Sequence, residues 1–437
     1  MFGSQSTKSF RAPRTARRKL ALSVMGGLAA LAAASTAEAK DLPGIFNGDA
    51  YATVANVKAG VITTVLARSA YQDCACQGTN GQVKSNEVDG ISAGPVLTAN
   101  QTISSVYTIK TKSTAEVQNS TSVGGLSALG GLITADSIKS VAEVDVTKTS
   151  MTTSSTASSF GNLTVAGQVI PTSVPANTVI PIPGIGSVTL NKIVTKGNID
   201  KAGGIDVEAI SITVDTANAL GIPVGANIII GHASAGYNRK VPPAGFGGTT
   251  YAALASGSLS DDLKNKIGQA SFLALGCEGT HGKTEHSKVT RINVSGLMTL
   301  ADGGTTAFAG TEGDRQVART TATFSRLNLL GGVIQVDALQ AVAASSVKDG
   351  KSTGSADGSG FSGLTIAGVG IPANLPPNSN LPLPLLGNVT VNEQTVNDDG
   401  SVVVNGLHIK ITTVNLLGLP VGAEFVVAHA GASAAPL

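Results

Sequence analysis

Laid on itself at an offset of 201 residues, the chain matches itself in ordered blocks, and no other feature constrains its fold as strongly. ACQGTNGQ (Ala75–Gln82) falls on GCEGTHGK (Gly276–Lys283), and ALGGLITADSIKS (Ala128–Ser140) on LLGGVIQVDALQA (Leu329–Ala341). FGNLTVAG (Phe160–Gly167) falls on FSGLTIAG (Phe361–Gly368), and IPIPGIGSVTLN (Ile180–Asn191) on LPLPLLGNVTVN (Leu381–Asn392). The last block, ALGIPVGANIIIGHASAG (Ala219–Gly236), meets LLGLPVGAEFVVAHAGAS (Leu416–Ser433) at an offset of 197, so the loop before it is four residues shorter in the second copy. Such order predicts two diverged copies of one unit, residues 40–240 and 241–437.

Within each copy the patterning is that of strands. Ile210, Ile212 and Val214 alternate with Ser211, Thr213 and Asp215, and Leu407, Ile409 and Ile411 with His408, Lys410 and Thr412. Period-two alternation of β-branched residues predicts strands with one buried face. NDDG (Asn397–Gly400) and KAGG (Lys201–Gly204) sit where hairpins must turn. Proline donates no ladder hydrogen bond, so Pro181/Pro183 and Pro382/Pro384 mark edge strands or crossings. The expected fold is all-β: two tandem sandwich-like units, with a rolled or barrel-like sheet as the alternative. The best helical candidate is Ser258–Gly268, capped by Ser260 with Asp261 and Asp262 in its first turn. Gly236–Thr250 is predicted to be the linker between copies, and Lys348–Gly360 and Lys148–Ser159 to be exposed loops.

The first 39 residues predict an export signal: a basic region (Lys8, Arg11, Arg14, Arg17, Arg18, Lys19), an apolar run Leu20–Ala34, and Ala37-Glu38-Ala39 before the cleavage point. The apolar run is shorter than the ~20 residues that span a bilayer, which favours a cleaved segment over an anchor. Arg17-Arg18 leaves the general and twin-arginine export routes both open. Removing those six basic residues and Glu38 from 30 basic and 28 acidic residues leaves 24 against 27, a net of −3. No Lys/Arg cluster survives to neutralise phosphates, which argues against nucleic-acid binding. With no tryptophan and 3% aromatic residues, stacking of sugar rings is equally disfavoured. The tail Asn415–Leu437 is apolar but broken by Pro420, Glu424 and His429, and its counterpart lies mid-chain, so it is expected to be a strand and not a membrane segment. Neither a basic stop nor a sorting pentapeptide is recognisable near GASAAPL.

GLITAD, FGNLTVAG with the following IPIPGIG, and GIPVGANIIIGHA occur in this order, in both copies. In these motifs the chain resembles the bacterial choice-of-anchor P family, secreted proteins whose carboxy-terminal attachment device varies between members. The resemblance spans most of the chain after the signal. It implies an exported, surface-associated role and no established catalytic activity, and hence no functional residues to carry over.

Export favours oxidised cysteines. Of Cys74, Cys76 and Cys277, Cys76 and Cys277 are repeat-equivalent, and packing about a two-fold near them would join the copies. A local Cys74–Cys76 bond and free thiols are the alternatives. Cys277, His281 and His286 offer zinc-type donors, but the spacing fits no standard finger and Asn80 stands where His281 falls. His232 and His429 are repeat-equivalent, each follows an apolar run, and each is expected to be a hydrogen-bonded strand-end residue; His408 is expected to be solvated. GISAG (Gly90–Gly94) matches a nucleophile elbow, which has mechanical meaning only on a strand–turn–helix of an α/β sheet. Asp398-Asp399 reads as a hairpin tip rather than a calcium loop. No catalytic, metal or cofactor-binding residue is predicted. The expectation is a non-catalytic structural or interaction protein at the cell surface, with a ligand- or polymer-binding module using the groove between copies as the alternative.

Overall fold

Strand-forming alternation is realised along most of the described residues. The computed structural model describes residues 41–56, 68–94, 96–198, 201–257, 271–294 and 296–437. The expected signal segment and the helix at Ser258–Gly268 with its Asp261 and Asp262 lie outside those residues. Among the described residues the protein is all-β, with one 3₁₀ turn at Leu330–Gly332.

Four antiparallel sheets form, two from residues before 240 and two from residues after it. Sheet I runs Thr178–Ile182, Gly186–Asn198, Ala202–Val214, Asn227–Asn238, Asp49–Asn56, Gln72–Asp73. Sheet III has the same order: Ser379–Leu383, Gly387–Val396, Val402–Ile411, Ala423–Pro436, Ala244–Gly257, Leu273–Leu275. The strands carrying Pro181 and Pro382 are the outermost of each, where a missing amide breaks no ladder, and Pro183 and Pro384 lie in the turns that follow. Sheet II is built on Val83–Val88, Thr102–Lys110, Thr114–Ala128 and Ile133–Thr147; sheet IV on Thr284–Val294, Met298–Glu312, Arg315–Leu329 and Ile334–Lys348. Among the described residues none of the four sheets closes on itself, and sheet I packs on II and sheet III on IV as stacked layers.

Burial follows the period-two pattern. Along Thr114–Ala128 the inward positions are Ala115, Val117, Asn119, Thr121 and Val123. In the second half Phe324, Leu339, Val404, Leu407 and Val427 fill one core drawn from both facing sheets. The buried clusters of the first half share no residue with it. At about 25 cal/mol per Å² of apolar surface, this burial is the main force holding each pair of layers together.

Three local expectations are corrected. The linker is only Arg239–Pro243: strands run through Asn238 and resume at Ala244, because Ile45–Asn47 and Pro436 offer them ladder partners that the turn-rich composition does not reveal. Lys348–Gly360 is not a loop but a hairpin, with Lys351–Ser355 paired to Ala344–Lys348, and the equivalent Met151–Ser154 pairs with Glu143–Val146. Ser and Thr tolerate an exposed edge strand as readily as a loop. Among the described residues, no helix is long and apolar enough to cross a membrane.

Candidate functional site

Two features concentrate chemistry: a row of polar residues crossing the outer face of sheets I and III, and the junction where the two halves meet.

The row is set by register. In sheet I, Lys192 pairs with Glu208, Glu208 with His232, and His232 with Tyr51. In sheet III the same positions hold Glu393, Asn405, His429 and Tyr251. The ladder skips one pair before each histidine, from Ile210/Ile230 to Glu208/His232 and from Leu407/Val427 to Asn405/His429, with no change of register. The skipped residues Gly231 (φ +70°) and Ala428 (φ +57°) take the left-handed conformation, which glycine adopts without strain. This local twist breaks the in–out alternation, so that each imidazole lies on the outer face and carbonyls are freed inward. Those are recovered by hydroxyls: Ser140 donates to the Gly231 oxygen (2.8 Å), Thr121 to that of His232 (2.8 Å), and Thr250 to that of His429 (2.8 Å). His232 and His429 thus lie in mid-strand and not at strand ends, because the strands continue past the left-handed residue that precedes each histidine.

Each imidazole is stacked flat on a tyrosine ring, His232 on Tyr51 and His429 on Tyr251, both with centroids 4.3 Å apart. His429 Nδ1–H donates to Asn405 Oδ1 (2.7 Å), and the Thr249 hydroxyl lies 3.4 Å from Nε2. Burial pushes the pKa of His429 down to about 4, so the ring is neutral at neutral pH. His232 Nε2 instead faces Asp49 (3.4 Å), while its Nδ1 is buried with no hydrogen-bond partner among the described residues. Burial pushes the Asp49 carboxyl up, but the hydrogen bond from His232 and the charges of His232, Arg68 and Lys196 outweigh it and hold the group below its ordinary value.

His408 is not solvated. Its side chain is only 13% exposed, with Nδ1 2.9 Å from Glu393 and Nε2 3.3 Å from Glu424, carboxylates of the two flanking strands. Alternation assigns a face to a residue but says nothing of which neighbouring strands will cover that face. Glu393 also accepts from Asn405 Nδ2 (2.6 Å); burial raises its pKa, and these bonds with the charges of His408 and Lys410 more than reverse the effect.

At the junction, Cys76 is bonded to Cys277, with Cα atoms 5.2 Å apart, and Cys74 is a buried thiol whose pKa burial raises to about 12. Five residues before each half-cystine, Tyr71 meets Phe272 edge-on at 5.2 Å. Both contacts join a residue to its own counterpart 201 positions on, which is the geometry of elements meeting at a two-fold axis. The surrounding backbone repeats the relation: the Phe46 amide donates to the Cys76 carbonyl (3.0 Å) and the Phe246 amide to that of Cys277 (3.1 Å).

Arg68 is central here. It lies 3.3 Å from Asp49 and its guanidinium packs over the rings of Tyr51 (4.8 Å), Phe272 (5.2 Å) and Tyr71 (5.6 Å). Beside it opens a cleft of about 640 Å³, lined by Asp49, Arg68, Asp73, Gln77, Gly247 and Ser433 among others. Sequence reasoning missed Arg68, Tyr71 and Phe272. The available signal was that two aromatic residues occupy equivalent positions in a chain with few rings.

The other sequence candidates are not brought together. The Cys277 sulfur is consumed by the disulfide, His281 sits on an exposed turn (φ +55°), and His286 is exposed on a strand, so the three form no metal site. In GISAG, Ile91–Ser92 is a short strand followed by a turn and then another strand, without the helix an elbow needs. Asp398 and Asp399 form a hairpin tip, where Asp399 accepts from the amide and hydroxyl of Ser401. The chain has no match among protein-family profiles, curated proteins or solved structures.

Proposed function

We propose that the protein is exported, loses its first 39 residues, and acts outside the cytoplasm as a non-catalytic structural or interaction component of the cell surface, built from two copies of one sandwich. The observation that carries this reading is the Cys76–Cys277 bond. A disulfide joining residues 201 apart, with the chain between them folded as a sandwich, suits an oxidising compartment and is out of place in a reducing one. The choice-of-anchor P resemblance and the basic–apolar–small leader point the same way.

A second reading, an extracellular ligand- or polymer-binding module, is favoured by the cleft at the junction, where Arg68, Asp49 and Asp73 give polar handles between apolar walls. Fractionation of the native host carrying the tagged protein, with protease added to intact cells, separates the two. Retention on cells with cleavage by protease is expected. Quantitative release into the medium refutes the surface role and moves attention to the cleft.

A further inference from the structure

The loop that closes the outer end of sheet III is apolar where solvent meets it. In the stretch between Ile411 and Ala423, Val414 is 90% exposed, Leu416 102%, Val421 50% and Leu417 42%. Leu385, 81% exposed, projects from the adjoining turn, which is bound to this loop through the amides of Thr412 and Thr413 on the Leu386 carbonyl (2.9 and 3.3 Å). Neither segment carries a charge: no Asp, Glu, Lys, Arg or His lies between Gly358 and Asn392 or between Ile411 and Ala423.

The fold does not require these side chains, because the first half builds the same loop without them. There Asn218 Nδ2 donates to Thr216 O (3.2 Å) and Ile222 O (2.8 Å), and Asn218 Oδ1 accepts from the Ile222 amide (3.1 Å). Asn415 makes the matching bonds to Thr413 O (3.1 Å), Leu419 O (2.8 Å) and the Leu419 amide (3.1 Å). With this shared frame, the first half holds Ala217, Ala219 and Gly184 where the second holds Val414, Leu416 and Leu385. It also keeps a charge, Asp215, where the second has Thr412. One loop of the pair therefore lacks the charge and carries three large apolar side chains that touch little of the protein. This is a cost in water and a gain only where water is left behind.

We infer that this tip, formed by Val414, Leu416, Leu417, Val421 and Leu385, inserts into the apolar boundary of a lipid layer. A lipid layer fits better than a protein partner on three grounds. The tip is a protruding turn and not a groove. It has no aromatic or arginine anchor of the kind that dominates protein interfaces. Much of its backbone is already satisfied internally, with the amides of Leu417, Gly418, Leu419, Gly422 and Ala423 all donating within the loop, as hydrocarbon demands. With no basic residue in the loop, binding is apolar in origin and indifferent to lipid charge. As a means of retention at the envelope the inference rests on the export reading, but its test does not.

The test is flotation of the purified processed chain with phosphatidylcholine vesicles and with vesicles containing phosphatidylglycerol, at low and high salt. Equal co-flotation in all four conditions is expected. Val414→Ala/Leu416→Ala/Leu385→Gly, which restores the residues of the first half, lowers partitioning at least tenfold, since each buried leucine is worth about a factor of ten or more. An unchanged thermal midpoint shows that the variant folds, and Val224→Ala in the other loop leaves flotation as it was. Absence of flotation, flotation that needs anionic lipid or low salt, or flotation that survives the triple substitution overturns the inference. So does self-association in solution abolished by the same substitutions, which would make a second copy the occupant.

Discussion

Removing the clamp between the halves tests how the protein is held together. Cys76→Ser/Cys277→Ser is the right perturbation, because a single substitution would leave a free thiol near Cys74. In the chain-entropy account a cross-link closing a loop of about 200 residues restrains the unfolded chain by about 5 kcal/mol at 25 °C. Among the described residues no sheet and no buried cluster is shared by the halves, so without the bond their coupling rests on surface contacts such as Tyr71 on Phe272. Urea unfolding followed by far-ultraviolet circular dichroism and tyrosine emission should therefore show two effects. The β signal of the native state is retained, because each core is intact. The transition moves to lower urea by the equivalent of about 3–5 kcal/mol and separates into two steps. One cooperative transition within about 1 kcal/mol of the parent would refute the reasoning, showing that packing at the junction already couples the halves.

Stability should fall between about pH 6.5 and pH 4. His429 in the fold titrates near 4 and in the unfolded chain near 6.5, so the unfolded state binds more protons in that window; the contribution is complete above 6.5 and lost as pH falls. Its limit of about 3 kcal/mol is reduced to about 1–2 by solvent at the exposed part of the ring, and His429→Gln should flatten the thermal midpoint over this range. Phe324→Ala, at a ring 1% exposed in the second core and packed over Gly303, should cost about 3–5 kcal/mol in chemical denaturation. A loss below 1 kcal/mol would mean that the cavity collapses or that the ring is not the core element described.

Much of the fold was legible because strand structure is written locally. Alternation along Ile210–Val214 and Leu407–Ile411 placed their buried apolar faces correctly, and of the two readings left open by the prolines, edge or crossing, Pro181 and Pro382 fall on edge strands of sheets I and III. The repeat anticipated that Cys76 and Cys277 are equivalent, and His232 and His429 likewise. What was misread depended on partners across strands. His408 was assigned to solvent because its strand shows a polar phase there, yet Glu393 and Glu424 from the flanking strands enclose it. The linker was drawn too long because pairing with Ile45–Asn47 and Pro436 organises residues that look turn-like alone.

By itself, then, the sequence determined a β chain with an internal repeat and the buried faces of its alternating strands, since both are read directly along the chain. Tertiary structure alone decided that Cys76 reaches Cys277 while Cys74 stays a thiol, that each histidine stacks on a tyrosine of the neighbouring strand, and that Arg68 rests among Tyr51, Tyr71 and Phe272. Those are meetings of residues up to about 200 positions apart. Their geometry follows from how whole sheets pack, and no local pattern encodes it.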